Sequence, residues 1–179
     1  MNSSATRPLF GGAITLTLPS NLIDAADIRQ VPDTQEVFLY PDSGVSVIIE
    51  ILQRVEPDDL TEAAKFHFDS LAHDNSAASA TVKSIEQVPN ERKDETPTAT
   101  TLVGVQQIAK FNRSDEDTVE ILLVLYRVQS KNIDLVLTFN VPGAAQDGEA
   151  VGEAGRNSAL RDFTAAVKSL KIVDFGLFA

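Results

Sequence analysis

The sequence predicts an α+β fold, an α/β/α sandwich in which helices flank a mostly antiparallel sheet of roughly six strands. Three observations support this prediction. Segments with strand periodicity recur along the chain, the later ones follow one another through short connections, and two segments have the apolar spacing of amphipathic helices. At 179 residues, of which 43% are hydrophobic, the chain is long enough for one domain with a buried core.

The N-terminal part of the chain contains a polar tail and the first predicted strand. Residues 1–8 are mostly polar, and we expect them to be disordered ahead of a single domain formed by residues 9–179. Residues 14–18 alternate isoleucine or leucine with threonine, which is the period of a half-buried strand, and Pro19 ends it. Gly11-Gly12 precedes a strand and lacks the lysine of a phosphate-binding loop, so we interpret it as a bulge or a close backbone approach.

A hairpin and a helix follow. Residues 37–40 and 45–55 form the two predicted arms of the hairpin, joined by the turn sequence Pro-Asp-Ser-Gly. The second arm is nearly all apolar, which indicates a central strand covered on both faces. A helix is predicted to begin at residues 57–59, because Leu60, Ala64, Phe68 and Leu71 then lie on one stripe that packs on the sheet.

The second half of the chain predicts an antiparallel meander and a closing helix. A strand is predicted at residues 80–88, followed by a polar, proline-marked loop at residues 89–101. Strand patterns then cover residues 102–111, 118–129 and 133–141, and the short connections at residues 112–117 and 130–132 predict that these three strands form an antiparallel meander. Residues 142–155 are rich in glycine, alanine and acids and are predicted to form a flexible surface loop. Asn157 is the expected N-cap of the last helix, in which Leu160, Phe163, Val167 and Leu170 repeat at helical spacing.

Composition and charge limit the classes of partner. A net charge of −11 argues against nucleic acid, because binding to phosphates needs a basic surface. The same charge favours a basic protein as partner, although it could also serve solubility alone. No stretch approaches the length of a membrane span or has the apolar core of a signal peptide. We therefore expect no membrane contact, and a location in the nucleus and the cytoplasm.

The motifs of common catalytic and metal sites do not occur in this sequence. The chain has no cysteine and no GxSxG elbow, which leaves no thiol nucleophile and no predicted serine nucleophile. His67 and His73 are six residues apart, whereas a helical metal pair is separated by four, so we interpret them as solvated or core-edge histidines. We predict no catalytic residue, no metal site and no cofactor, and we expect a monomer.

One acid-rich connection, between residues 24 and 36, stands out as a candidate binding surface. It carries Asp24, Asp27, Asp33 and Glu36, and a connection of this length is more often functional than a short turn. Two explanations are compatible. The acids could cap a short helical turn at residues 24–27 and form a tight turn at Pro32-Asp33, or they could bind a basic partner.

The amino-acid sequence of this region resembles that of a known protein family. The run LFGGAIT, followed by LPSNLIDAADIRQVPDTQEVFLYP, is similar to the N-terminal signature of the Ran guanine nucleotide release factors, the Mog nuclear-import family. Similarity continues through SVIIEILQRV, AAKFHFDSL, GVQQIAKFN, LVLTFNVP and the closing DFTAAVKSLKIVDFGLF. It covers nearly the whole chain and is most specific in IDAADIR and VPDTQEVF.

The resemblance implies a PsbP-like fold, binding to the small GTPase Ran, release of its guanine nucleotide and a role in nuclear protein import. It implies that the acidic connection contacts Ran, and it points to eight residues there: Asp24, Asp27, Arg29, Val31, Pro32, Asp33, Gln35 and Glu36. The first alternative is an adaptor of the same fold that binds another basic protein without releasing nucleotide. The second is a hydrolase with paired carboxylates in a cleft.

Overall fold

The computed structural model of the chain describes residues 3–109, 116–144 and 151–179. The predicted connections at residues 112–117 and 142–155 lie partly outside these ranges. Within them, the strands form two antiparallel sheets and the two helices pack on the larger sheet. The predicted α+β class is therefore confirmed. None of the helices in the described ranges combines the length and apolarity needed to cross a membrane.

The larger sheet has seven strands where the sequence predicted roughly six. Its strand order is β3-β4-β5-β9-β8-β7-β6, and every neighbouring pair is antiparallel. The strands are β3 (Ile23–Asp24), β4 (Gln35–Leu39), β5 (Ser46–Gln53), β6 (Ala77–Val88), β7 (Ala99–Ala109), β8 (Glu116–Val128) and β9 (Ile133–Ala144). The predicted hairpin is β4-β5 and the predicted meander is β7-β8-β9, and both are confirmed. The predicted loop at residues 89–101 is shorter in the structure, because β7 begins at Ala99 and pairs there with β6 and β8.

A smaller sheet corrects the prediction for the N-terminus. It consists of β1 (Ser4–Leu9), β2 (Ile14–Pro19) and β10 (Lys171–Ile172), with β2 in the centre. The expectation that residues 1–8 are disordered is wrong for Ser4–Pro8, because β1 pairs along its whole length with β2. Gly11 and Gly12 lie between these two strands with φ of 69° and 94°, a backbone conformation that glycine adopts without strain.

The two helices cover opposite faces of the larger sheet. Helix α1 (Leu60–Asp74) packs its buried side on β6, β7 and β8, whereas α2 (Glu153–Ser169) packs on β2, β8 and β9. Strand β8 is buried on both faces, with Ile121 and Leu123 in the α1 core and Leu122 and Val124 in the α2 core. The sheet is therefore the middle layer of the predicted sandwich.

The start of α1 agrees with the sequence and the start of α2 does not. Asp59 Oδ1 accepts hydrogen bonds from the backbone N–H groups of Thr61 at 2.7 Å and Glu62 at 3.3 Å, so Asp59 is the N-cap of α1 and lies within the predicted start at residues 57–59. Helix α2 begins four residues before the predicted cap Asn157. The backbone N–H of Arg156 already donates to Gly152 O at 2.9 Å, so the helix is established before Asn157 is reached.

A close approach between α1 and the sheet depends on one glycine. A Cβ atom added to Gly104 in β7 would lie 2.6 Å from Phe68 Cζ and 2.9 Å from Thr81 O. Glycine at this position lets the buried ring of Phe68 lie directly on the strand.

A buried polar cluster joins α1 to β8 and β9. Arg127 donates from Nε to Asp134 Oδ1 at 2.8 Å and from Nη2 to Asp134 Oδ2 at 3.0 Å, a bidentate pair. His67 Nε2 donates to Asp134 Oδ2 at 2.8 Å. Because His67 is 6% exposed and Asp134 is 0% exposed, His67 is not solvated; its ring is buried at the edge of the core, where it also lines a recess between α1 and the sheet.

Further hydrogen bonds complete this cluster and set the ionisation of Asp134. The guanidinium of Arg127 also donates to the carbonyls of Val55 and Pro57, in the segment that leads into α1. Burial alone raises the pKa of Asp134, but the hydrogen bonds from His67 and Arg127 more than offset it and lower the pKa to about 2. The cluster therefore holds a charged carboxylate between the helix and the sheet.

Replacing Asp134 tests this cluster. We expect Asp134→Ala to lower the free energy of unfolding by about 3–5 kcal/mol, because it leaves the buried Arg127 unpaired. Asp69→Ala, at an exposed position of α1, should change it by no more than ~0.5 kcal/mol. Denaturant titration measures both, and a loss of under about 1 kcal/mol for Asp134→Ala contradicts a structural role for the cluster.

The pH dependence of stability follows from the same carboxylate. The folded-state pKa of about 2 lies below the ordinary value of 3.8, so ionised Asp134 stabilises the fold above the ordinary value. This contribution is lost as the pH falls through the folded-state pKa. Unfolding titrations between pH 5 and 2 should show a shallower acid dependence for Asp134→Asn than for the parent chain, with Asp69→Asn as the control.

Candidate partner-binding surface

The candidate surface is the acidic loop, defined as residues 24–36. It begins at Asp24, the last residue of β3, and ends at Glu36, the second residue of β4. Strand β3 is the edge of the larger sheet, and it pairs with β4 through only two residues, Ile23 opposite Leu39 and Asp24 opposite Phe38. The loop therefore leaves the sheet at its edge and returns to the same strand pair.

The first part of the acidic loop is a capped turn, as predicted. Asp24 Oδ1 accepts a hydrogen bond from Ala26 N at 2.9 Å and caps a 3-10 turn at Ala25–Asp27. The backbone N–H groups of Ile28 and Arg29 both donate to Ala25 O, at 3.0 and 2.9 Å. Ala25 is completely buried, so this turn is attached to the domain at its first residue.

The second part of the loop contains a turn that joins it to the sheet. Gln35 N donates to Pro32 O at 3.0 Å, which places Asp33 and Thr34 at the centre of the turn, one residue later than the predicted Pro32-Asp33. Ile51 N in β5 donates to Thr34 O at 2.9 Å. The loop therefore rejoins the sheet in a defined position.

Arg7 in β1 holds the chain that enters the acidic loop. Its Nη2 donates to Leu22 O at 2.8 Å and to Ser20 O at 3.2 Å. Its guanidinium carbon lies 5.0 Å from the centroid of the Phe38 ring, a cation–π distance. Sequence reasoning missed Arg7 because it assigned residues 1–8 to a disordered tail; the alternation of β1 is weak, since the strand is exposed along most of its length.

Glu36 fixes the other end of the acidic loop to the first hairpin. Its Oε1 accepts a hydrogen bond from the backbone N–H of Phe10 at 2.8 Å, in the turn between β1 and β2. The side chain is half-buried. Two of the four predicted acids, Asp24 and Glu36, therefore already have a partner inside the domain.

The predicted residues differ in how far they are available to a partner. Four are exposed and four are half-buried: Asp27, Arg29, Pro32 and Asp33 in the first group, and Asp24, Val31, Gln35 and Glu36 in the second. Asp27 and Asp33 make no hydrogen bond or ion pair with any residue that the structure describes. These two carboxylates form the available acidic part of the loop.

A second group of acids lies in a recess between α1 and the sheet. The recess has a volume of about 140 Å³ and is lined by Glu50, His67, Asp74 and Thr138, among others. Burial and then the charge of Asp74 raise the pKa of Glu50. The volume is below the roughly 300 Å³ at which small-molecule sites begin. No cluster of three or more potential metal ligands occurs within the described ranges.

The contribution of the Arg7 hydrogen bonds to the stability of the acidic loop can be measured by amide hydrogen exchange. We expect Arg7→Met to speed amide hydrogen exchange at Ile28 and Arg29 by about tenfold, because a hydrogen bond to a charged group stabilises by roughly 1.5–3 kcal/mol. Exchange in β8 should not change. Thr6→Ala, at an exposed position of the same strand, is the matched control, and unchanged loop exchange in Arg7→Met contradicts the positioning role.

Comparison with known proteins identifies the family. The profile of the family described as Ran-interacting Mog1 protein matches residues 7–142. The chain is 34% identical to the Ran guanine nucleotide release factor of Danio rerio, over 97% of this chain and 99% of the relative. It is also 34% identical to the human protein of the same name, over 96% and 95%.

Yeast proteins extend the similarity to a solved structure. The nuclear import protein MOG1 of Saccharomyces cerevisiae is 29% identical over 96% of this chain and 83% of the relative. The crystal structure of the Saccharomyces cerevisiae Ran-binding protein Mog1p superimposes with a TM-score of 0.77 at 27% identity, covering 100% of both chains. The matched profile, the sequence identity and the shared fold agree, and the chain belongs to the Mog1 family.

Proposed function

We propose that this protein binds the small GTPase Ran, promotes release of its bound guanine nucleotide and supports nuclear protein import. The observation that carries the proposal is the match over nearly the whole chain to relatives named Ran guanine nucleotide release factor. Relatives named nuclear import proteins support the role in transport and a location in the nucleus and the cytoplasm. The protein acts as a regulator of a GTPase and not as an enzyme.

The acidic loop is the proposed Ran-binding surface. Asp27 and Asp33 contact Ran directly, because they are exposed and have no polar partner among the described residues. Arg29 and Pro32 flank them on the exposed side, and Val31 and Gln35 shape the loop from half-buried positions. Asp24 and Glu36 hold the loop in place through Ala26 N and Phe10 N.

Nucleotide release follows from competition between two binding equilibria. A GTPase holds its nucleotide with backbone amides, a lysine and a magnesium ion. A protein that binds the nucleotide-free form more tightly than the loaded form must weaken nucleotide binding by the same factor. Carboxylates of the acidic loop would pair with basic groups that the departing nucleotide exposes, and would repel the phosphates.

Two alternatives make different predictions. An adaptor of the same fold would bind a basic protein and leave the nucleotide in place. A hydrolase would need a convergent pair of carboxyls with raised pKa values in a cleft. The recess at Glu50 has one carboxyl with a raised pKa and a volume of about 140 Å³, which does not favour a substrate site of ordinary size.

The direct test is release of a fluorescent guanine nucleotide from loaded Ran, followed after addition of this protein in low and in moderate salt. Fast release that slows as salt is added supports both the function and an acidic binding surface. A stable complex without release supports the adaptor. Neither release nor binding would mean that the chain has the fold of its family without the function.

Charge reversal in the acidic loop tests the surface. We expect Asp27→Lys combined with Asp33→Lys to slow release by about tenfold or more, because it replaces attraction to a basic partner with repulsion. The midpoint of thermal unfolding should not change, since neither side chain has an intramolecular polar partner in the described ranges. Reversal of Glu36 is a poorer test, because it also removes the hydrogen bond to Phe10 N.

The matched control carries the same change in charge at the opposite edge of the larger sheet. Glu86→Lys combined with Glu91→Lys alters exposed residues in and just after β6. Release should stay within about twofold of the parent rate. Equal losses in both double variants would assign the effect to net charge and contradict a local binding surface.

A further inference from the structure

Exposed apolar side chains are concentrated at the acidic loop. In the described ranges, the large hydrophobic residues that are exposed are Ile23, Ile28, Phe66 and Val173. Ile23 directly precedes the loop and Ile28 lies within it, at 37% and 67% exposed. Scattered exposed apolar residues are ordinary on protein surfaces. Ile23 and Ile28, however, lie within six residues of one another, and Ile28 is the most exposed of the four. This concentration of exposed apolar surface requires an explanation.

Ile28 is presented on a fixed backbone. Its N–H donates to Ala25 O at 3.0 Å, and the next N–H, of Arg29, donates to the same carbonyl at 2.9 Å. Ala25 is completely buried, and Asp24 caps the turn from the other side. A β-branched side chain also has few χ1 rotamers to lose. Binding through Ile28 would therefore cost little conformational entropy, because the backbone and side chain are already ordered in the free protein.

The charges around Ile28 define the chemistry of its partner. Asp27 and Arg29, both exposed, flank Ile28 in the chain, and Asp33 is exposed in the second turn of the same loop. With four acids and one arginine, the loop as a whole is acidic. An apolar centre with a charged rim is the usual anatomy of a protein–protein interface, and the rim must meet opposite charge. The occupant that fits is a protein surface with a small apolar recess surrounded by basic side chains.

We propose that Ile28 is the apolar anchor of the Ran-binding surface and inserts into an apolar recess of Ran that has a basic rim. This inference rests on the proposed function and adds a division of roles within the acidic loop. The carboxylates of Asp27 and Asp33 speed association and give it its salt dependence. Ile28 slows dissociation, because its buried side chain must leave the recess before the complex separates.

The test measures association and dissociation rates with immobilised, nucleotide-free Ran. We expect the complex of Ran with the Ile28→Ala variant to dissociate about 30-fold faster than the parent complex, which is the loss expected for an anchor residue. The association rate and its dependence on salt concentration should stay within about twofold of the parent values. Asp27→Asn should do the reverse, slowing association and flattening the salt dependence. Val173→Ala removes a side chain that is 54% exposed outside the loop and should change neither rate.

A second pair of variants separates apolar contact from shape. Ile28→Val and Ile28→Thr leave side chains of nearly equal shape, and only threonine brings a hydroxyl into the recess. We expect Ile28→Thr to dissociate about tenfold faster than Ile28→Val, because the hydroxyl is desolvated without a partner. Amide exchange at Arg29 shows whether the turn is intact in each variant.

The outcomes separate this inference from the proposed function. If the parent chain binds Ran and releases its nucleotide while Ile28→Ala dissociates at the parent rate, the anchor is wrong and the function stands. Equal rates for Ile28→Val and Ile28→Thr also overturn the anchor. If the parent chain does not bind Ran, the proposed function fails, and the inference fails with it.

Discussion

The acidic loop depends on a reciprocal tie to the first hairpin. Arg7 in β1 donates to two carbonyls at the loop entry, and Glu36 at the loop exit accepts from the amide of Phe10 between β1 and β2. A loop that leaves a sheet edge must find partners for its own backbone polar groups. Here Arg7 of the first hairpin satisfies two backbone carbonyls ahead of the loop, and the Glu36 side chain fixes the far end of the loop to the backbone N–H of Phe10. The position of the proposed binding surface therefore depends on the first hairpin.

Sequence patterns predicted the elements that depend on local spacing. The start of α1 next to residues 57–59, the β4-β5 hairpin and the meander from β7 to β9 all follow from short-range periodicity and turn chemistry. Features that depend on distant partners were not predictable in this way. Strand β1 is mostly exposed and is ordered by its pairing with β2, and His67 is buried because Asp134, 67 residues later, accepts its hydrogen bond.

Within the acidic loop, too, roles that depend on near neighbours in sequence could be predicted, and roles that depend on distant residues could not. The capping role of Asp24 could be predicted because its partner is two residues away. Composition alone could not distinguish Glu36, which is used within the domain, from Asp27 and Asp33, which are available to a partner. All three are acids in one short segment, but Glu36 stabilises the loop, whereas Asp27 and Asp33 are exposed on its surface. The exposure of Ile28 likewise depends on how the turn is attached at the buried Ala25.

The central claim is that the acidic loop is the surface through which the protein binds Ran. Backbone amide NMR spectra, recorded as nucleotide-free Ran is added, test it most directly. The account predicts that shifts and line broadening are concentrated at residues 22–36, while β6, at the opposite edge of the larger sheet, is unchanged. Changes concentrated at β6 or α2 with an unperturbed acidic loop would contradict the account.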